Sequence, residues 1–169
     1  MVSHLFVVDR CWLPAWRGYP RIAEAGTVSD YERACAIDEP LGLLTVGTGY
    51  GLVLGDEPLS TTWQPDNARR GGMIVHWRYG PDGPTTIAAL ARLPDDIWNL
   101  EAFSLPLPSG QAKVFDSAHG GERERATLTL TLIPGTYRLE TAEYAPGADL
   151  ALLLHRLTWV EAAPDQRYD

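Results

Sequence analysis

Short apolar runs, punctuated by glycine and proline, organise the chain, and the clearest pattern lies in its C-terminal third. Thr127, Thr129 and Thr131 alternate with Leu128, Leu130 and Leu132, the period of two that gives a strand one apolar face. Pro134-Gly135 predicts a tight turn, since proline fixes φ and glycine accepts positive φ. Residues 136–144 read as the return strand and Pro146-Gly147 as a second turn. Residues 150–160 are apolar on both faces, which predicts a central or doubly covered strand. Together these segments read as a three-stranded antiparallel meander.

The same reading carries back along the chain. Residues 3–8 form an apolar first strand, and residues 12–18 an aromatic turn or short helical piece around Pro14. Residues 30–37 predict a short helix capped by Ser29 or Asp30, with Tyr31, Ala34 and Cys35 on one face. Residues 43–46 and 50–54 flank Gly47, Gly49 and Gly51, which predicts a hairpin. Gly55-Asp56-Glu57-Pro58 is a turn, and residues 61–63 and 73–79 are strand-like. The strongest helix pattern covers residues 82–93, with Ile87, Leu90, Ala91 and Pro94 at helical spacing. Residues 102–107 and 111–116 read as paired strands around Pro108-Ser109-Gly110. Eight or nine strands with two short helices predict a mainly β, α+β fold. Its antiparallel sheets would form a sandwich or a curled sheet with the helices packed on it.

Composition narrows the class. At 169 residues the chain fits one domain, placed at 1–161 and followed by a polar tail at 162–169. No apolar run approaches the ~20 residues of a membrane helix, and Asp9 and Arg10 end the first run too early for a signal peptide. Two cysteines, Cys11 and Cys35, make no disulfide framework; they predict buried free thiols in a reducing cytoplasm. Fourteen Lys and Arg against 22 Asp and Glu give a net charge of -8. That argues against nucleic acid and anionic membranes as partners, which attract cationic surfaces. It is compatible with a basic protein partner.

Candidate chemistry is sparse. Gly47-Thr48-Gly49-Tyr50-Gly51 lacks the Lys-Ser/Thr and following helix of a phosphate loop, so it reads as a hairpin turn. His4, His76, His119 and His155 fall at no metal-ligand spacing, and there is no Cys-x-x-Cys. His76 and His155 lie inside strands, as hydrogen-bonded structural histidines; His119 lies in a solvated loop. Asp116, Ser117 and His119 are too close in sequence for a nucleophile-base-orienter geometry, and no Gly-x-Ser-x-Gly elbow exists. The expectation is therefore no catalytic residue, no metal and no cofactor. Among the six tryptophans, Trp77 and Trp159 read as core. Trp12, Trp16, Trp63 and Trp98 lie near loops, where tryptophan packs under the loop or anchors an interface. Asp56-Glu57 and Asp95-Asp96 read as acidic turns, the second beside Trp98.

Residues 30–63 carry a distinctive string, from Asp30-Tyr31-x-Arg33-Ala34-Cys35 through Val53-Leu54-Gly55-Asp56-Glu57-Pro58-Leu59 to Thr62-Trp63. With Pro14-Ala15-Trp16-Arg17-Gly18, Leu93-Pro94-Asp95-Asp96-Ile97-Trp98, Pro134-Gly135-Thr136-Tyr137 and Leu154-His155-Arg156-Leu157, in that order, it resembles the immunity protein 21 family of bacterial polymorphic-toxin immunity proteins. The family pattern opens on Gly-Gly-Pro, where Ser3-His4 stands here, leaving the pairing of the first strand open. The resemblance implies a mostly β protein that neutralises a toxin encoded beside it by direct binding. It implies no catalytic residue and no metal. If the toxin is a nuclease, its cationic cleft would meet carboxylates here. The candidate contacts are Asp56, Glu57, Asp95 and Asp96, with Trp63 and Trp98 as anchors. A small-molecule-binding β module is the second reading, and an enzyme using His119 or His155 the third.

Overall fold

The computed structural model describes residues 4–20, 25–39, 41–55, 60–81, 83–98, 103–121 and 128–162. Ten strands and two α-helices lie among them: β1 (Leu5–Asp9), α1 (Asp30–Cys35), β2 (Leu41–Val46), β3 (Gly49–Leu54), β4 (Ser60–Asp66), β5 (Gly71–Tyr79), α2 (Gly83–Leu90), β6 (Phe103–Leu107), β7 (Gln111–Asp116), β8 (Leu128–Thr131), β9 (Gly135–Gly147) and β10 (Leu150–Ala162). They make two antiparallel five-stranded sheets, ordered β2-β3-β1-β7-β8 and β4-β5-β10-β9-β6. The mainly β expectation holds. Two compact units divide the chain: residues 1–58, 105–136 and 160–169, and residues 59–104 and 137–159. Of the expected polar tail, residues 163–169 lie outside the described residues.

In the first unit, β1 is wholly buried and central, pairing with β3 on one side and β7 on the other. That settles the pairing left open by the Ser3-His4 departure. Phe6 stacks on Trp16 at 4.1 Å between ring centroids and meets Phe115 edge-on at 5.9 Å. The Trp16 Nε1 donates to the Ser117 carbonyl at 3.1 Å, so the loop tryptophan is a fully buried core residue. Helix α1 closes this core with Ala34. Ser29 caps it: its hydroxyl accepts from the Glu32 amide while the Glu32 carboxylate accepts from the Ser29 amide, satisfying two orphan donors reciprocally.

The glycine-rich run is the expected hairpin, with Gly47-Thr48 between Val46 and Gly49. Gly47 takes the left-handed conformation of the turn, φ 58°, whereas Gly49 and Gly51 are there for packing. A Cβ on Gly51 would overlap the Phe6 ring, and one on Gly49 the Trp12 ring.

Four expectations are corrected. First, β6 and β7 do not pair; β7 lies between β1 and β8, whereas β6 is an edge strand beside β9. Second, β8 joins β7 through Ala112↔Leu130 and Val114↔Leu128, so only β9 and β10 of the supposed meander are neighbours. A period-two pattern fixes which face a strand buries but not which strand lies beside it. Third, α2 is shorter than residues 82–93 and turned: Thr86 is its buried residue and Ile87 is 51% exposed. The Trp77 Nε1 donates to the Thr86 hydroxyl at 3.0 Å, the kind of partner an indole N–H usually finds when buried. Fourth, Cys11 and Cys35 are exposed, not buried. The Cys11 thiol is pushed up to about 12, by partial burial first and then by hydrogen bonding to Asp9 and its charge.

Gly51→Ala drives a methyl group into the Phe6 ring and should destabilise the protein by about 1–3 kcal/mol, the usual range for overpacking. A lower urea midpoint with an unchanged m-value would show it; an unchanged midpoint would mean that Phe6 shifts freely.

Candidate functional site

The second unit carries its chemistry on two faces of one sheet. Directly opposed residues share a face, so Gln64↔Met73 and Met73↔Arg156 set one row across β4, β5 and β10. Glu140 of β9 extends this row. Arg156 Nε and a terminal guanidinium nitrogen both donate to Glu140 Oε2, at 3.0 and 2.8 Å. Arg138 reaches Oε1 of the same carboxylate at 3.2 Å. The Glu140 side chain is only 10% exposed, so two arginines offset the cost of its burial.

Arg156 then determines where Trp98 sits. Its guanidinium lies 4.0 Å from the centroid of that ring, a cation–π contact. Trp98 follows a 3-10 turn over Asp95–Ile97, and with Leu90, Leu93 and Ile97 it packs on the core of Val75, Ala142, Leu152 and Leu154. A groove of about 390 Å³ opens beside it. Met73 and Arg156 form its floor, the end of α2 and the Asp95 turn one wall, and the β4–β5 connection the other. In that connection the Asp66 carboxylate accepts from the Ala68 and Arg69 amides and pairs with the Arg69 side chain at 3.3 Å, both about two-fifths exposed. Next to it, Arg70 adopts a left-handed conformation, φ 50°, with its guanidinium 5.1 Å from the Trp159 ring centroid.

The opposite face holds the two strand histidines. His76 Nδ1 is hydrogen-bonded to the Thr61 hydroxyl and His155 Nδ1 to that of Thr141, each at 2.8 Å. The rings meet edge to face at 5.0 Å, because His155 lies opposite Ile74, one diagonal step from His76. Neither Nε2 has a partner among the described residues. Burial holds both rings neutral, pushing His76 down to about 4 and His155 well below the ordinary value, where the neighbouring His76 adds to the effect. This is the structural role expected of them.

The triad-like residues form a turn: Asp116 Oδ1 accepts from the Ala118 amide at 2.9 Å, and His119 is exposed. Among the described residues no three His, Cys, Asp or Glu side chains gather as a metal site would need, and no helix is long and apolar enough to cross a membrane.

A model of the immunity protein 21 family matches residues 2–149. The chain belongs to that family. No curated protein and no solved structure matches it.

The candidate contacts of this immunity protein 21 family member are not all brought together. Asp95 and Trp98 line the groove. Asp96 is exposed on the same turn, and neither Asp95 nor Asp96 makes an ion pair among the described residues. Trp63 sits on edge strand β4, half-buried across Gly72, on the face opposite Gln64. Asp56 and Glu57 lie outside the described residues. Trp77 packs on the second core as expected, whereas Trp159 is half-buried under Arg70. Sequence reading missed Arg156 and Glu140. Their signal was a charge inside otherwise apolar strands, since Arg and Glu are almost never fully buried unless paired.

Two outcomes follow. Arg156→Ala strips Glu140 of its closer partner and Trp98 of its stacked cation, and should cost about 3 kcal/mol in a denaturant titration; a loss below about 1 kcal/mol would mark the pair as an ordinary surface bridge. The histidines make stability depend on pH with a definite sign. Their folded-state values lie below the unfolded value near 6.5, so the stabilisation is full above that pH and is lost as pH falls towards 4. His76 alone should make the protein about 2 kcal/mol less stable at pH 5 than at pH 7, and His76→Asn should remove that share of the pH dependence while the share of His155 remains.

Proposed function

We propose that this chain neutralises a cognate bacterial toxin by direct protein–protein binding in the cytoplasm, without catalysis and without a cofactor. Membership of the immunity protein 21 family across residues 2–149 carries this reading. The charge balance of -8 and the unpaired Asp95 and Asp96 beside Trp98 support a basic toxin, of which a nuclease with a cationic cleft is the case the charge fits best. Nucleic acid and anionic membranes are not its partners, for the same electrostatic reason. Inhibition needs no chemistry from this protein, since a preformed surface that covers the toxin's cleft suffices. The groove volume, within the range of ligand pockets, favours a second reading as a small-molecule-binding module.

Co-purification with an inactivated toxin encoded beside this chain should give a one-to-one complex. Nanomolar affinity that weakens as salt rises is the expected result. A complex indifferent to salt would remove the basic-partner element. No complex, together with a thermal shift by a metabolite, would replace the immunity reading with the small-molecule one.

A further inference from the structure

Four charged side chains line the groove beside Trp98, Asp66 and Asp95 against Arg69 and Arg156. Of its two arginines, Arg156 is committed to Glu140 and to the Trp98 ring. Drawing it towards an incoming anion would leave a buried carboxylate with Arg138 alone, and breaking a buried pair in this way is strongly destabilising. Arg69 and Asp66 offset one another at the exposed rim, where such a pair contributes little. Asp95 is then the one charge lining the groove that no ion pair among the described residues balances. Between these charges lie half-buried Met73, Leu90 and Leu93, with the polar Gln64 and Asn67 beside them.

A trough with three apolar side chains on its surface and a carboxylate without an ion pair at its edge fits a long cationic side chain. Its methylene stem lies on Met73, Leu90 and Leu93, and its head reaches the rim. We propose that the groove is the anchor pocket for one arginine or lysine side chain of the toxin, with Asp95 accepting hydrogen bonds from its cationic head. This rests on the immunity reading and adds to it a place and a recognition chemistry. The exposed Asp66–Arg69 pair gives the pocket an adjustable rim, because Asp66 can exchange Arg69 for the incoming cation at little cost.

The test uses the full chain in two assays. In the first, the inactivated toxin is titrated with wild type, Asp95→Asn and Asp149→Asn. Asp95→Asn, which keeps the shape and removes the charge, should weaken binding about tenfold and flatten the salt dependence. Asp149→Asn, an exposed carboxylate of the β9–β10 turn that does not line the groove, should change binding less than threefold. Tight binding that is equally insensitive to both substitutions overturns the proposal and leaves the immunity reading standing. In the second assay, N-acetyl-arginine amide and N-acetyl-glutamate amide are titrated while the Trp98 indole N–H and the Leu93 amide are followed by NMR. Saturable shifts with the arginine probe, lost in Asp95→Asn, support the pocket even if no toxin binds. Preference for the glutamate probe, no response to either, or self-association of the chain through this face overturns it.

Discussion

Glu140 sits almost out of solvent in the second sheet, and that single buried carboxylate constrains much of what lies around it. A charge so placed requires compensation, which comes from Arg138 on its own strand and Arg156 on the central one. Arg156 in turn holds Trp98 against the sheet, and Trp98 with Leu90 and Leu93 shapes the groove wall. The chain of cause runs from an electrostatic requirement in the sheet to a concavity at the surface. The groove is thus bounded on one side by the stacked Trp98 ring and on the other by the exposed Asp66–Arg69 pair.

How far the sequence could be read depended on whether a feature was local. The Ser29 cap, the hairpin after Val46, the central position of β10 and the burial of Trp16 each follow from neighbours in sequence or from a plain count of apolar residues. Strand partnership did not. The alternation over residues 127–132 correctly marks a strand with one buried face, but the choice between β7 and β9 as its neighbour depends on which sheet the preceding strands had occupied. The helix pattern erred for a related reason. Ile87 and Leu90 suggested a face, yet Trp77, nine residues away, needed an acceptor for its indole, and Thr86 faces inward to provide it.

The candidate site divides along the same line. Asp95 and Trp98 were legible because a short acidic turn beside an aromatic is a local signature. Trp63 looked equivalent but lies on the other face of β4, as strand parity requires once Gln64 is placed over Met73. Arg156 and Glu140 sit on neighbouring strands sixteen residues apart, and only the pairing of β9 with β10 makes them partners.

The strand order also has a temporal meaning. The second sheet is centred on β10, the last strand among the described residues, and β4-β5 and β9-β6 meet only through it. A ribosome delivers β4 and β5 long before their central neighbour exists, so this sheet cannot close cotranslationally by local pairing; contacts of large sequence separation form slowly. Arg156 arrives on that same strand. A product cut short before Leu150 therefore lacks both the centre of the sheet and the residue that sets Trp98.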